Sequence, residues 1–268
     1  MPEDRREAIV VGMGTLIIAL TSLAIALAYE VPAYLCRFLP SGIRRQRVAD
    51  IALRAMNRFV SCAKAYIGLR LLYDRPSFVM PDRCIVVSNH QSLLDIPILM
   101  HYFEPDRRLL FVAKKELGNG IPLISSVLRV GGHALIDRGS NPTRSMRGLG
   151  AFARRCQDIG FWPSIFPEGT RSKDGKMGRF HSAGLRRIMD TAPAPLLVVA
   201  IDGGWKATKL KTLLSGKAPV EYRVKVLSIV EARADKQGVV DALGVARADI
   251  ERQLETWRSG DLSAAART

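Results

Sequence analysis

The chain is expected to form an α/β fold: a mainly parallel sheet flanked by helices, preceded by an N-terminal membrane-anchoring helical segment. Three observations carry this expectation. From Cys84 onward, short apolar runs alternate with stretches of helical periodicity, the pattern of strands joined through helices. The run Cys84-Ile85-Val86-Val87 has no polar alternation, which suits a strand buried on both faces. Near the N-terminus, Ala8 to Tyr29 is free of charge over 22 residues, long enough for a hydrocarbon core of about 30 Å.

Taken in order, the Ala8–Tyr29 segment reads as a retained anchor. A cleaved signal would have a shorter apolar region and a small-residue cleavage site, whereas Tyr29-Glu30-Val31-Pro32 follows here. Arg37, Arg44, Arg45 and Arg47 follow the segment, against Arg5 and Arg6 before it. That balance places the globular part on the cytoplasmic side. Pro32 and the Pro40-Ser41-Gly42 turn suit either a spanning helix or a shallow helical hairpin in one leaflet. Next, Val48, Ile51, Ala52, Ala55, Met56, Phe59, Val60, Ala63, Ile67 and Leu71 recur at helical spacing, with Arg45, Arg54, Arg58, Lys64 and Arg70 mostly off that stripe. This is a basic amphipathic helix resting on anionic lipid, or a helix covering the core with a solvated basic face. Periodicity does not separate the two.

Strands are expected at Cys84–Val87, Leu109–Val112, His133–Ile136, Ser164–Phe166, Leu196–Ile201 and Tyr222–Ile229. Helices are expected from Leu93, Lys115, Thr143, Ala183 and Val239. The domain boundaries follow: 1–75 for the anchor and amphipathic helix, 76–258 for the globular domain, and 259–268 for a frayed tail.

The net charge of +15 calls for an anionic partner. Aromatics make up only 7% of the chain and do not interleave with the basic residues, so nucleic acid is disfavoured. An anionic membrane surface fits better, since an apolar segment lies beside the basic cluster. Cys36, Cys62, Cys84 and Cys156 form no C-x-x-C pair and read as small buried residues in a reducing compartment.

Two blocks carry the chemistry. In Asn89-His90-Gln91-Ser92-Leu93-Leu94-Asp95, Ser92 and Asp95 have capping-box spacing, which starts a helix at Ser92. Residues five apart lie about 140° apart on a regular helix, so His90 sits in the loop before it and folds back to Asp95. The acid then accepts from one imidazole nitrogen and leaves the other basic. Taken alone, such a pair is more often a cap beside a loop histidine. Its position after a parallel strand raises its weight, because ligands bind at the carboxyl ends of such strands. No G-x-S-x-G, Walker or G-x-G-x-x-G motif is present, and the histidine spacing makes no metal site. His101, His133 and His181 read as structural. With no protein nucleophile in view, His90 would deprotonate a substrate hydroxyl.

The second block is Phe166-Pro167-Glu168-Gly169-Thr170-Arg171-Ser172. Gly169 permits close backbone approach, Arg171 can clamp a phosphate, and Glu168 can orient Arg171 or bind a substrate hydroxyl. Lys114 and Lys115 follow another strand, and Arg138 follows a third. Each alone is a solvated charge; three at corresponding strand ends make an anion site, with phosphate as its ligand.

These blocks, with Lys114 to Leu117, Ile136-Asp137-Arg138, Phe180 to Gly184 and Val198-Val199-Ala200, resemble the 1-acylglycerol-3-phosphate acyltransferases of the glycerolipid acyltransferase superfamily. The resemblance spans about residues 80–205 and rests on block order and spacing. Val198 stands where the family usually has proline, Leu117 to Pro122 is one residue longer, and Ser125 replaces a common glycine. The resemblance implies a glycerol-3-phosphate acyltransferase-like fold, an acyl-CoA or acyl carrier protein donor, a lysophospholipid acceptor and no metal or resident cofactor. It makes His90 the general base and Asp95 its orienter, with Glu168 and Gly169 in the catalytic turn. Gly169 and one of Lys114 or Lys115 would stabilise the oxyanion. Asn89, Lys114, Lys115, Arg138, Thr170 and Arg171 would bind substrate, with Arg171 and Arg138 on the acceptor phosphate. The implied acceptor is lysophosphatidic acid. Another lysolipid such as a lyso-ornithine lipid is the alternative, and a non-catalytic membrane-binding protein is a more distant one.

Overall fold

The computed structural model describes residues 3–104, 106–137, 142–207 and 221–265. Helix α1 (Glu3–Leu35) runs through Pro32 and ends in a 3-10 turn at Cys36–Phe38. Helix α2 (Ser41–Ile67) follows after Pro40. The two form a helical hairpin: Arg58 Nε on α2 donates to the Tyr29 hydroxyl on α1 at 2.9 Å. Ala33 and Cys36 meet Val48 and Ile51 in a small apolar cluster. The predicted α2 stripe faces inward, with Val48, Ile51, Ala55, Met56, Val60 and Ala63 all buried. The segment Leu16–Phe38, which joins α1 from Leu16 to the 3-10 turn, is 23 residues long, with mean hydropathy 1.9, long and apolar enough to cross a membrane. Leu16, Leu20, Leu23, Leu27, Val31 and Phe38 on it are exposed.

The sheet has the strands β1 (Arg70–Asp74), β2 (Ile85–Ser88), β3 (Leu109–Lys114), β4 (Ala134–Ile136), β5 (Trp162–Ile165), β6 (Leu196–Asp202) and β7 (Glu221–Val230). Their spatial order is β1-β7-β6-β2-β5-β3-β4. Every neighbouring pair is parallel except β6 with β7. The central strands β2, β5 and β6 are buried at every residue, which is why they read as unbroken apolar runs. Strand β7 alternates along its first half.

Between the strands lie α3 (Asp95–Phe103), α4 (Ile124–Val130), α5 (Pro142–Ile159), α6 (Ser182–Met189) and a helical turn, α7 (Gly204–Ala207); α8 (Lys236–Ala265) closes the described chain. One face of the sheet packs Phe152, Leu185, Ile188, Val239 and Leu243 from α5, α6 and α8. The other packs Ala63, Ile98, Leu99 and Tyr102 from α2 and α3.

Several boundaries differ from the sequence expectation. The helix from Lys115 is a 3-10 turn (Lys115–Gly118), and α4 begins only at Ile124. Leu71, counted in the α2 stripe, lies on β1, because Gly68 at φ 62° ends α2 in the left-handed region. The sheet therefore begins before residue 76, and α8 continues through Ser259 to Ala265. All four cysteines are free, three of them buried.

His133 plays a structural part. Its Nδ1 accepts the Phe111 backbone N–H at 3.1 Å, and burial pulls its pKa down to about 4, helped by Arg155. A depressed histidine contributes stability that is complete above its unfolded value and is lost as pH falls toward the folded one. Between about pH 6.5 and 4 the native state is expected to lose about 3 kcal/mol from this group. Urea unfolding across that range checks it: His133→Asn, which keeps an acceptor but does not titrate, should flatten the slope.

Candidate active site

The carboxyl ends of β2, β3, β4 and β5 lie at one edge of the sheet, so the loops that follow them gather there. β2 and β5 are direct neighbours, with Val87 paired to Ile165, and this brings the two sequence blocks together. The backbone of His90 ties them: its N–H donates to Glu168 Oε1 at 2.8 Å, and its carbonyl accepts the Ser172 N–H at 2.8 Å. The His90 ring stacks on Phe166, with centroids 4.1 Å apart and planes 11° apart.

His90 Nδ1 lies 2.6 Å from Asp95 Oδ2. The same oxygen accepts the N–H groups of Gln91 at 2.6 Å and Ser92 at 2.9 Å. Oδ1 accepts the hydroxyl of Tyr222. Three donors, the N–H groups of Gln91 and Ser92 and the Tyr222 hydroxyl, already converge on this fully buried acid, so it serves as an acceptor to which an Nδ1–H of His90 can donate. The predicted capping box forms by half. Asp95 reaches back to the Ser92 N–H, but Ser92 Oγ accepts from Leu94 N–H at 3.2 Å. Helix α3 consequently starts at Asp95, not Ser92.

A cleft of about 900 Å³ opens beside this pair, large enough for a drug-sized ligand. Leu93, Ile96, Val112, Leu117, Ile136 and Met146 give it apolar walls. His90, Lys114, Glu168, Gly169, Thr170 and Arg171 also line it. The lining thus combines apolar side chains with the His90 imidazole and three cations, Lys114, Arg171 and Lys173.

The predicted residues divide by geometry. His90, Lys114, Thr170 and Arg171 reach the cleft. Lys115 does not line it, and its Nζ sits 3.5 Å from Asp137. Asn89 is buried, with Nδ2 donating to the Ile201 carbonyl at 2.8 Å and Oδ1 accepting the Ile201 N–H at 2.9 Å. Its amide therefore pins the β2 loop to β6 rather than binding substrate. Gly169 takes φ 68°, and its N–H closes the turn on the Phe166 carbonyl at 3.0 Å, so that N–H is spent within the turn. Glu168 makes no ion pair with Arg171 among the described residues. Its Oε1 holds the His90 N–H, and its Oε2 the Gly178 N–H at 2.8 Å. Burial raises its pKa above the ordinary carboxylate range, and these N–H groups offset part of the rise. Arg138 lies outside the described residues.

Sequence reasoning missed Tyr222, the Phe166 stack and the Asp202–Arg258 pair. Arg258 on α8 donates to Asp202 Oδ1 at 3.0 Å and to the Gly175 carbonyl at 2.8 Å. It thereby straps the loop between the second block and α6. Burial pushes the Asp202 carboxyl up, but Arg258 and Gln91 outweigh it and hold its pKa below the ordinary value. His181, read as structural, has an exposed ring and lines the cleft. Among the described residues no group of three or more His, Cys, Asp or Glu could hold a metal ion.

Comparison with known proteins bears on this site. The Acyltransferase family matches residues 74–202. A 1-acyl-sn-glycerol-3-phosphate acyltransferase from Pseudomonas aeruginosa is 35% identical over 137 residues, covering 51% of this chain and 48% of the relative. The human 1-acyl-sn-glycerol-3-phosphate acyltransferase beta is 30% identical over 191 residues, covering 68% and 65%. The chain thus spans between about half and two thirds of these relatives' lengths. The crystal structure of a 1-acyl-sn-glycerophosphate acyltransferase from Thermotoga maritima superposes with TM-score 0.68 at 23% identity, covering 94% of this chain and 98% of that one, and so shares the fold. Residues 74–202, the stretch similar to the Acyltransferase family, hold both the His90–Asp95 pair and the Glu168 turn.

Proposed function

We propose that the protein is a membrane-associated acyltransferase that moves a fatty acyl group from acyl-CoA or acyl carrier protein to the free hydroxyl of lysophosphatidic acid, giving phosphatidic acid. The observation that carries the reading is the His90–Asp95 pair, with His90 lining a cleft of apolar walls that also presents Lys114 and Arg171. His90 Nε2 takes the proton of the acceptor hydroxyl as its oxygen attacks the thioester carbonyl. Lys114 stands ready for the charge that develops on the carbonyl oxygen. When the tetrahedral intermediate collapses, the C–S bond breaks and His90 returns its proton to the leaving thiolate. Asp95 holds the imidazole tautomer throughout. Arg171 and Thr170 hold the acceptor phosphate, and the apolar walls take an acyl chain. The thioester is a co-substrate, and the reading calls for no resident cofactor or metal.

The exposed apolar face of α1 fits an acceptor and product that reside in the bilayer. The bases that follow α1, Arg37, Arg44, Arg45 and Arg47, support a catalytic domain on the cytoplasmic side.

The test incubates protein in mixed micelles with acyl-CoA, or with acyl carrier protein donor, and a panel of lysolipids, following thiol release and lipid product. Acylation of lysophosphatidic acid supports the reading. Turnover of a phosphate-free lysolipid alone would move the acceptor to the lyso-ornithine class, and no turnover with either donor would sink the enzymatic role. Within this assay, Arg171→Ala is expected to raise KM for lysophosphatidic acid about tenfold, the scale of one charge-assisted phosphate contact. A phosphate-free lysolipid should change little; equal effects on both would remove the phosphate role.

A further inference from the structure

Asp95 has two carboxylate oxygens, and the two sequence blocks account for only one. Oδ2 takes the three donors from the His90 loop, while Oδ1 takes the Tyr222 hydroxyl from β7, 127 residues away. Both side chains are fully buried. Tyr222 arrives there because β7 runs antiparallel to β6, with Ile201 against Val224 and Asp202 against Arg223. That reversal sets the start of β7, rather than its end, beside the carboxyl ends of the parallel strands. The turn after β6 leaves room for the pair. Gly203 takes φ 98°, and a Cβ on it would overlap the Glu221 carbonyl; a Cβ on Gly204 would lie 2.5 Å from the Tyr222 hydroxyl and 3.1 Å from Asp95 Oδ1.

We propose that Tyr222 is a positioning residue for the acyl transfer: its hydroxyl, held on Asp95 Oδ1, fixes the carboxylate rotation that presents Oδ2 to His90 and keeps Nε2 aimed into the cleft. This rests on His90 being the base of the reaction argued above. Without the hydroxyl, Oδ1 is a buried acceptor with no partner among the described residues, and the carboxylate is free to turn toward any other donor. Burial and the charge of Asp95 hold the Tyr222 pKa well above its ordinary value, so the phenol remains a neutral donor. The other titratable groups near the pair are Glu168 from the loop after β5, Asp202 at the end of β6 and Tyr73 on β1. None of them bonds to Oδ1.

The test is steady-state kinetics on Tyr222→Phe, on Asp95→Asn and on the double variant. Tyr222→Phe should lower kcat about tenfold with KM for donor and acceptor unchanged, the scale of losing geometry at a general base. If Tyr222 acts through Asp95, the double variant should lose no more than Asp95→Asn alone, to within about twofold. Additive losses, a rise in KM in place of the fall in kcat, or an unchanged kcat in folded protein would each overturn the assignment. Should Tyr222→Phe fail to fold, Gly204→Ala decides. Its Cβ presses on the hydroxyl while keeping it, so the same kcat loss is expected, and wild-type kcat would overturn the proposal. An inactive wild-type protein would instead count against the acyl-transfer reading, and the two failures are thereby distinct.

Discussion

His90→Ala is expected to lower kcat by about a thousandfold, the scale of removing a positioned base together with its orienting contact. Its fold should survive. The structural bonds at this position come from the backbone, N–H to Glu168 and carbonyl from Ser172, and alanine keeps both. The ring itself is 15% exposed and stacks on Phe166 at the cleft. Removing it leaves Asp95 with the N–H groups of Gln91 and Ser92 and the Tyr222 hydroxyl. The stability cost is therefore about 1 kcal/mol, one hydrogen bond and a partly exposed stack. Turnover in the micelle assay and a urea unfolding curve measure the two effects separately. Surviving acyl transfer would remove His90 as the base, and a large loss of stability would show that the ring is chiefly a structural contact.

What could be read from the chain follows the range of the interactions. The His90–Asp95 pair is legible because both partners lie within one turn of loop and helix, and their spacing alone excludes a shared helical face. The buried strands β2 and β6 are legible because burial on both faces leaves unbroken apolar runs. The meeting of the two blocks is legible only in part: strand ends in a parallel sheet collect on one side, but nothing local says that β5 lies next to β2. Tyr222 is not legible at all. Its position depends on β7 running against β6, and an alternating strand pattern carries no direction. β1 is hidden for another reason. Leu71 continues the helical spacing of α2, and only the left-handed Gly68 breaks it. Asn89 and Lys115 share a limit. Sequence gives the residue type at the edge of the site, whereas the partner that occupies it, Ile201 for one and Asp137 for the other, comes from elsewhere in the fold.

Glu168→Ala is expected to damage stability and turnover together, which separates a brace from a reacting acid. Each carboxylate oxygen of Glu168 holds a backbone N–H, that of His90 on one side and that of Gly178 on the other. The side chain is thus a strut between the His90 loop, its own turn and the loop that leads to α6. Alanine leaves both donors without a partner, His90 N–H in a part-buried setting, and opens a void beneath the turn. The expected cost is about 2–4 kcal/mol. Because the His90 backbone is one of the tethered groups, the imidazole loses its placement, and kcat should fall by about a hundredfold through misplacement of the base. Glu168→Gln keeps one acceptor oxygen for one of the two N–H groups and sets an NH2 against the other, so it should recover only part of each loss. A group that took or gave a proton would behave differently: Glu168→Gln would then be as inactive as alanine while remaining nearly as stable as the parent. Urea unfolding and kcat on the two variants therefore distinguish the roles. Joint partial recovery in glutamine supports the strut, whereas full inactivation in a stable Glu168→Gln protein would return Glu168 to the reaction itself.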